Sequence, residues 1–159
     1  MNATTYLTPA DLPPLRTDTA AAAQAALANR AYARLLASGT AVTTAQYVSA
    51  LTERGVGEEA ARTRVKRDRK AKRLITVTHD GEAIIPTFQL GRDFEHRRLA
   101  GDAVHALLTA GYGPWDIWDW AESRNPWLGR RTPADAIRAG DADAVARAVA
   151  TSVGEGPDA

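Results

Sequence analysis

The chain has 159 residues, 45% of them hydrophobic and 25% charged, with a formal net charge of +1. That is the composition of an ordinary globular protein, with length enough for one domain or two small ones. With no cysteine in the chain, disulfides, a thiol nucleophile and thiolate metal sites are excluded.

The chain opens with "MNATTYLTPADLPP", which lacks the charged and apolar regions of a signal peptide. No stretch approaches the ~20 apolar residues needed to cross a bilayer. A cytoplasmic location without membrane contact is the expectation. Residues 1–18, rich in Thr and Pro, read as a flexible arm. A first helix is predicted over 19–37, where Leu27, Ala31 and Leu35 recur every four residues beside Tyr32 and Leu36, and Gly39 stops it. Thr43 and Gln46 form a capping-box pattern for a second helix, with Tyr47, Val48 and Leu51 as its apolar face. After "GVG", a third helix is predicted over 58–73, with Glu58 and Glu59 at its start and cations at its end, both suited to the helix dipole.

The period then changes. "LITVTHDGEAIIP" sets β-branched residues on both sides of Asp80-Gly81, a short-range hairpin signal. Helix, tight turn, basic helix and hairpin describe a winged helix-turn-helix over 19–86. Pro86 closes it, and "TFQLGRDFE" reads as a linker across which the two halves should be separable.

A second helical unit follows over 87–151. Leu99, Ala103, Val104, Leu107 and Leu108 trace one helix face, and Gly111 ends that helix. Pro114 suits the first turn of the next, which carries Trp115, Ile117, Trp118 and Trp120. The Asn125-Pro126 break comes next; Thr132 caps a short helix and Asp141 a last one through Val149. Residues 152–159 read as a frayed tail. The fold class expected is mainly α, with one short β-hairpin.

Residues 62–73, "RTRVKRDRKAKR", hold eight Lys or Arg against one acid, a local +7 that leaves −6 for the rest of the chain. A solvated helix is the ordinary explanation of a charge run, but such helices carry intrahelical acid–base pairs that this one has few acids to form. Its position before a hairpin, where helix-turn-helix domains enter the major groove, points to DNA. The candidate DNA contacts are Arg62, Arg64, Lys66, Arg67, Arg69, Lys70 and Arg73.

No enzyme is suggested. His79, His96 and His105 lack partners at metal-ligand spacing and read as structural or surface residues; the serines lack a nucleophile-elbow context, and helix capping accounts for the paired aspartates. No cofactor or metal is expected. The four tryptophans, Trp115, Trp118, Trp120 and Trp127, fall within 13 residues. One helix cannot bury the first three against a single neighbour, so part of the cluster should reach a surface, and Trp and Arg are enriched at binding hot spots.

The segment 84–150 carries "IIPTFQL", then a helix ending in Gly, then "PWDIWDWAESRNPWLGRRTPADAIRAGDADAVARA". In Pro86, Phe88, Gln89, Pro114-Trp115, Asn125-Pro126, Leu128-Gly129, Thr132-Pro133 and Gly140-Asp141 it resembles the Xre/MbcA/ParS toxin-binding domain of bacterial antitoxins. The resemblance implies an antitoxin of a type II module that neutralises a RES-domain, NAD+-degrading toxin and represses its own operon. Operator DNA and the toxin would be its partners, with a homo-oligomer expected. It implies a toxin face made from Trp115, Trp118, Trp127, Leu128, Arg130 and Arg131. In the loop itself, Gly129 would permit a tight turn, Trp127 and Leu128 would tuck back, and Arg130 and Arg131 would point outward. A winged N-terminal unit departs from the all-helical Xre type. The alternative is a free-standing regulator whose C-terminal unit dimerises or binds a ligand.

Overall fold

The computed structural model describes residues 15–155. In chain order it contains α1 (Leu15–Ala37), β1 (Ala41–Thr43), α2 (Thr44–Glu53), α3 (Glu58–Lys70), β2 (Val77–His79), β3 (Glu82–Pro86), α4 (Arg98–Thr109), α5 (Pro114–Glu122), α6 (Pro133–Arg138) and α7 (Ala142–Glu155). The fold is mainly helical, with one small antiparallel sheet in the order β1-β3-β2.

Local chemistry sets most boundaries. Thr43 accepts a hydrogen bond from the Gln46 backbone N–H at 3.0 Å, and Gln46 Oε1 accepts from the Thr43 N–H at 2.9 Å, closing the capping box of α2. Asp80 and Gly81 take positive φ of 51° and 77°. Two successive left-handed residues make the turn whose twist matches a hairpin. The register follows, with His79 opposite Glu82 and Val77 opposite Ile84. On its other edge β3 pairs with β1, Val42 facing Ile85.

The segment 74–86 is the wall between two cores. Leu74 and Ile85 face a smaller core made by Tyr47, Val48 and Leu51 of α2, Ala61 and Val65 of α3, and Leu90. Ile75 and Val77 face the larger core, with Leu35 of α1, Phe88 and the apolar faces of α4, α5, α6 and α7. Adjacent residues point to opposite sides because extended backbone alternates. Gln89, 1% exposed, clamps this wall. Its Oε1 accepts from the Ile75 N–H at 2.7 Å, and its Nε2 donates to the Ile75 carbonyl at 3.0 Å and the Pro86 carbonyl at 3.2 Å.

Several expectations need correction. The first part of the stretch expected to link two units is buried: Thr87–Gln89 forms one turn of 3-10 helix with Phe88 and Gln89 in the core, and a partly exposed loop begins only after Leu90. Packing also crosses residue 86, since Leu35, Ile75 and Val77 share one cluster with α4–α7 and the Tyr32 and Trp115 rings lie 4.5 Å apart. A fragment beginning at Ile84 would lose these partners. Helix α1 begins at Leu15, so 15–18 are helical; the rest of the expected arm, 1–14, lies outside the described residues. Helix α7 continues to Glu155, held at Ser152, whose hydroxyl accepts from Trp120 Nε1 at 3.0 Å and whose carbonyl accepts from the Tyr112 hydroxyl at 2.8 Å. Residues 156–159 of the expected tail lie outside the described residues.

Candidate nucleic-acid interface

Helix α3 contributes little apolar surface. Successive residues turn by 100°, so Ala61, Arg64, Val65 and Asp68 share one stripe, and of these only Ala61 and Val65 enter the core. The outward side carries Thr63, Lys66 and Lys70, flanked by Arg62 and Arg69 on one side and Arg67 on the other. Arg62, Lys66 and Arg69 rim a shallow groove of about 200 Å³ whose other walls are Thr44 of α2, Val65, Thr76 and Ala83 of the hairpin. The cations of this face all come from α3; the hairpin adds the neutral Thr76 and Ala83 to the groove and carries the acids Asp80 and Glu82 at its turn.

The seven candidate cations separate into two groups. Arg64 turns to the body and bonds Glu95 at 2.8 Å. Arg73 lies beyond the end of α3, crosses to α4 and bonds Asp102 at 2.8 Å, its guanidinium lying over Gly101. Both are thus engaged by acids of the body, unlike the cations on the outward side of α3. Arg67 bonds Asp68 at 3.1 Å. Arg62 bonds Glu58 at 3.2 Å, one helical turn back, so intrahelical pairing, expected to be absent, does occur. That pair is exposed, and exposed pairs contribute little. Lys66, Arg69, Lys70 and Lys72 have no ion-pair partner among the described residues.

Behind α3 lies a polar chain that sequence reasoning missed. Asp68 Oδ2 bonds His96 Nδ1, and His96 Nε2 bonds the Tyr47 hydroxyl at 2.8 Å. It joins α2, α3 and the loop before α4. Burial pushes the Asp68 carboxyl up, but the hydrogen bonds from His96 and Arg67 and their charges outweigh it and hold the group below its ordinary value. Burial pushes the Tyr47 hydroxyl up to about 12. The partners are 28 and 49 residues apart in sequence, so no local spacing announces them.

The second predicted site, the loop 125–131, is rigid. Asn125 Oδ1 accepts from the Trp127 N–H at 2.9 Å, and the Asn125 N–H donates to the Arg131 carbonyl at 3.0 Å. Gly129 and Arg130 both take left-handed conformations, with φ of 61° and 74°. Leu128 does tuck back and is buried at 4%, but its neighbour Trp127 stands out at 64% exposed, against the expectation. Arg131 is held by Asp141 at 3.1 Å, whereas Arg130 is exposed with no partner among the described residues. Trp118 is fully buried and stacks on the half-buried Trp115, their ring centroids 5.6 Å apart. Trp118 and Leu128 therefore offer no contact surface, and Trp115 is engaged by Tyr32.

No protein-family profile and no curated protein matches the chain. Among solved structures, the arrangement of helices and small sheet is shared with a protein of known fold over 70% of this chain and 80% of that one, at a TM-score of 0.55 and 21% identity. That protein is Rv2175c, solved by NMR. At this identity the likeness concerns the fold alone.

Proposed function

We propose that the chain is a DNA-binding transcriptional regulator of the winged helix-turn-helix class. In this reading α3 enters the major groove and the β2–β3 hairpin lies against the neighbouring backbone as the wing. The reading is supported by the order α1-β1-α2-α3-β2-β3 and the antiparallel sheet β1-β3-β2, an arrangement that a winged helix requires. The observation that carries the proposal is the division of charge on the basic segment. Arg64 and Arg73 are paired with acids of the body and Arg62 and Arg67 with acids of α3, whereas among the described residues Lys66 and Arg69 are left unpaired beside the hairpin and Lys70 unpaired on the outward side. Unpaired cations gathered beside a groove support a surface that meets a polyanion. Each phosphate neutralised by such a cation releases condensed counterions and adds about 0.9 to the salt slope.

The test is fluorescence anisotropy of a labelled 30-base-pair duplex titrated with the chain at several salt concentrations. Replacing Lys66, Arg69 and Lys70 together by Ala should weaken binding strongly and flatten the slope by roughly 2 to 3 units. Wild-type affinity and slope in that variant would refute the proposal.

A second reading adds a protein partner. One specific observation favours it: an indole 64% exposed beside the unpaired Arg130, on a loop too stiff to lose much entropy on docking. With the antitoxin resemblance, that partner would be a RES-domain toxin, and Trp127 and Arg130 would be its anchors. Co-expression with the product of the neighbouring gene tests it. Trp127→Ser with Arg130→Glu should abolish co-purification and leave DNA binding intact; undiminished co-purification would refute it.

A further inference from the structure

We propose that His96 is the positioning residue that sets the rotation of α3, and so the sequence discrimination of the protein; the inference rests on the DNA-binding reading above. Helix α3 is anchored in the core by two small side chains alone, Ala61 and Val65. So narrow an apolar contact leaves rotation about the helix axis loosely defined. A rotation of about 20° carries a point on the roughly 6 Å outer radius of a helix through about 2 Å. That displacement is enough to break a two-bond contact to a base edge, whereas contacts to phosphates tolerate it.

Hydrogen bonds supply the constraint that packing lacks. The His96 imidazole is wedged between the Asp68 carboxylate on α3 and the Tyr47 hydroxyl on α2. The Tyr47 side chain is fully buried, and His96 and Asp68 are 16% and 20% exposed. His96 Nδ1 faces the Asp68 carboxylate and Nε2 faces the Tyr47 hydroxyl, so each ring nitrogen has a hydrogen-bond partner. Such a chain fixes both distance and angle, because the partly buried imidazole and carboxylate and the buried hydroxyl lose their partners if α3 turns. The other oxygen of Asp68 holds Arg67 at 3.1 Å, so the same residue also aims a cation.

The loop that carries His96 is itself stiff. Leu90 and His96 form an antiparallel bridge, the Gly91 N–H donates to the Glu95 carbonyl at 2.8 Å, and Phe94 packs on the Tyr47 ring. Next to His96, Glu95 holds Arg64 of α3. The polar groups on the inner stripe of α3, Arg64 and Asp68, are thus both fixed by consecutive residues of one loop. That loop leads straight into α4, where Asp102 holds Arg73. The seat of the reading helix is therefore set from the C-terminal half of the chain.

The experiment uses the full chain and two probes: a 30-base-pair duplex selected by the wild type from a random pool, and a scrambled duplex of equal length. His96→Phe keeps an aromatic ring against Tyr47 and removes both hydrogen bonds; His96→Gln retains one donor and one acceptor. The ratio of selected to scrambled affinity should fall at least about tenfold in His96→Phe, the loss of one well-placed base contact, and largely return in His96→Gln. Affinity for the scrambled duplex, which reads charge, should change less than about twofold. Tyr47→Phe removes a single hydroxyl and should lower the ratio in the same direction, which keeps the test decisive if His96→Phe fails to fold. Without DNA, amide hydrogen exchange should quicken in α3 and not in α4. Unchanged ratios and exchange in folded variants would overturn the proposal. A wild type that enriches no duplex from the pool and does not bind the scrambled one would refute the DNA-binding reading instead, and the exchange measurement would still judge the seating of α3.

Discussion

Replacing Gln89 by Leu should destabilise the protein far more than its place in an apparent linker suggests. Leucine has nearly the volume of glutamine, so the change leaves no large cavity and isolates the polar effect. The lost amide satisfied both the N–H and the carbonyl of Ile75 and also reached the Pro86 carbonyl. Ile75 is 2% exposed, so water does not replace the amide. Each buried backbone group left without a partner costs about 1–3 kcal/mol. Counting only the two groups of Ile75, the loss is about 2–6 kcal/mol. For a chain of this size, a loss near 3 kcal/mol lowers the melting temperature by roughly 6–12 °C. Circular dichroism melts and urea titrations of both proteins measure it directly. A variant melting within 2 °C of the wild type, on the order of 0.5 kcal/mol, would mean that Ile75 finds other partners and the clamp is dispensable.

Gly101→Ala should behave oppositely. The added Cβ would come 3.0 Å from Arg73 Nη2, the free end of a flexible side chain, so Arg73 should swing off α4 while the helix gains up to about 1 kcal/mol of propensity; a fall in melting temperature above about 3 °C would contradict this. Trp127→Ser should leave stability within about 0.5 kcal/mol and remove the most acrylamide-accessible tryptophan emission, because Trp127 is exposed and Trp118 is not; unchanged quenching would refute the loop geometry. The pH dependence has a definite sign on each side. Tyr47 is raised from 10.0 to about 12, so its contribution is complete below pH 10 and is lost as pH climbs from there towards 12. Tyr47→Phe should blunt that alkaline limb, and an identical limb in the variant would refute the assignment. Asp68 is lowered, so its contribution holds above the ordinary carboxylate range and is lost as pH falls through its folded value; Asp68→Asn should shallow the acid limb.

The sequence was legible where chemistry is local. Thr43 with Gln46, the Asp80-Gly81 turn, Pro114, and Thr132 with Asp135 each act within four residues, and each stands where its spacing predicts. Strand β1 was not legible, since its three residues become a strand only by pairing with β3 some 40 positions later. Gln89 and His96 look like ordinary polar loop residues, and their roles come from Ile75, Asp68 and Tyr47, which folding brings to them. The loop 125–131 shows the same limit at short range. Trp127 and Leu128 are adjacent and both apolar, and only the direction of one turn decides which is buried. Composition gave α3 its charge, but pairing with Glu95 and Asp102 separates inward arginines from outward ones, and neither acid is near in sequence.

If the chain is the DNA-binding protein proposed above, α3 and the hairpin should be the face that meets the duplex. Titration of the isotopically labelled chain with a short duplex, followed by amide chemical shifts, tests it most directly. The account predicts that the largest shifts cluster on 62–70 and 77–86, with little change on α7 or on 125–131. Shifts centred on the Trp127 loop, or no shifts at a duplex concentration that saturates binding, would contradict it.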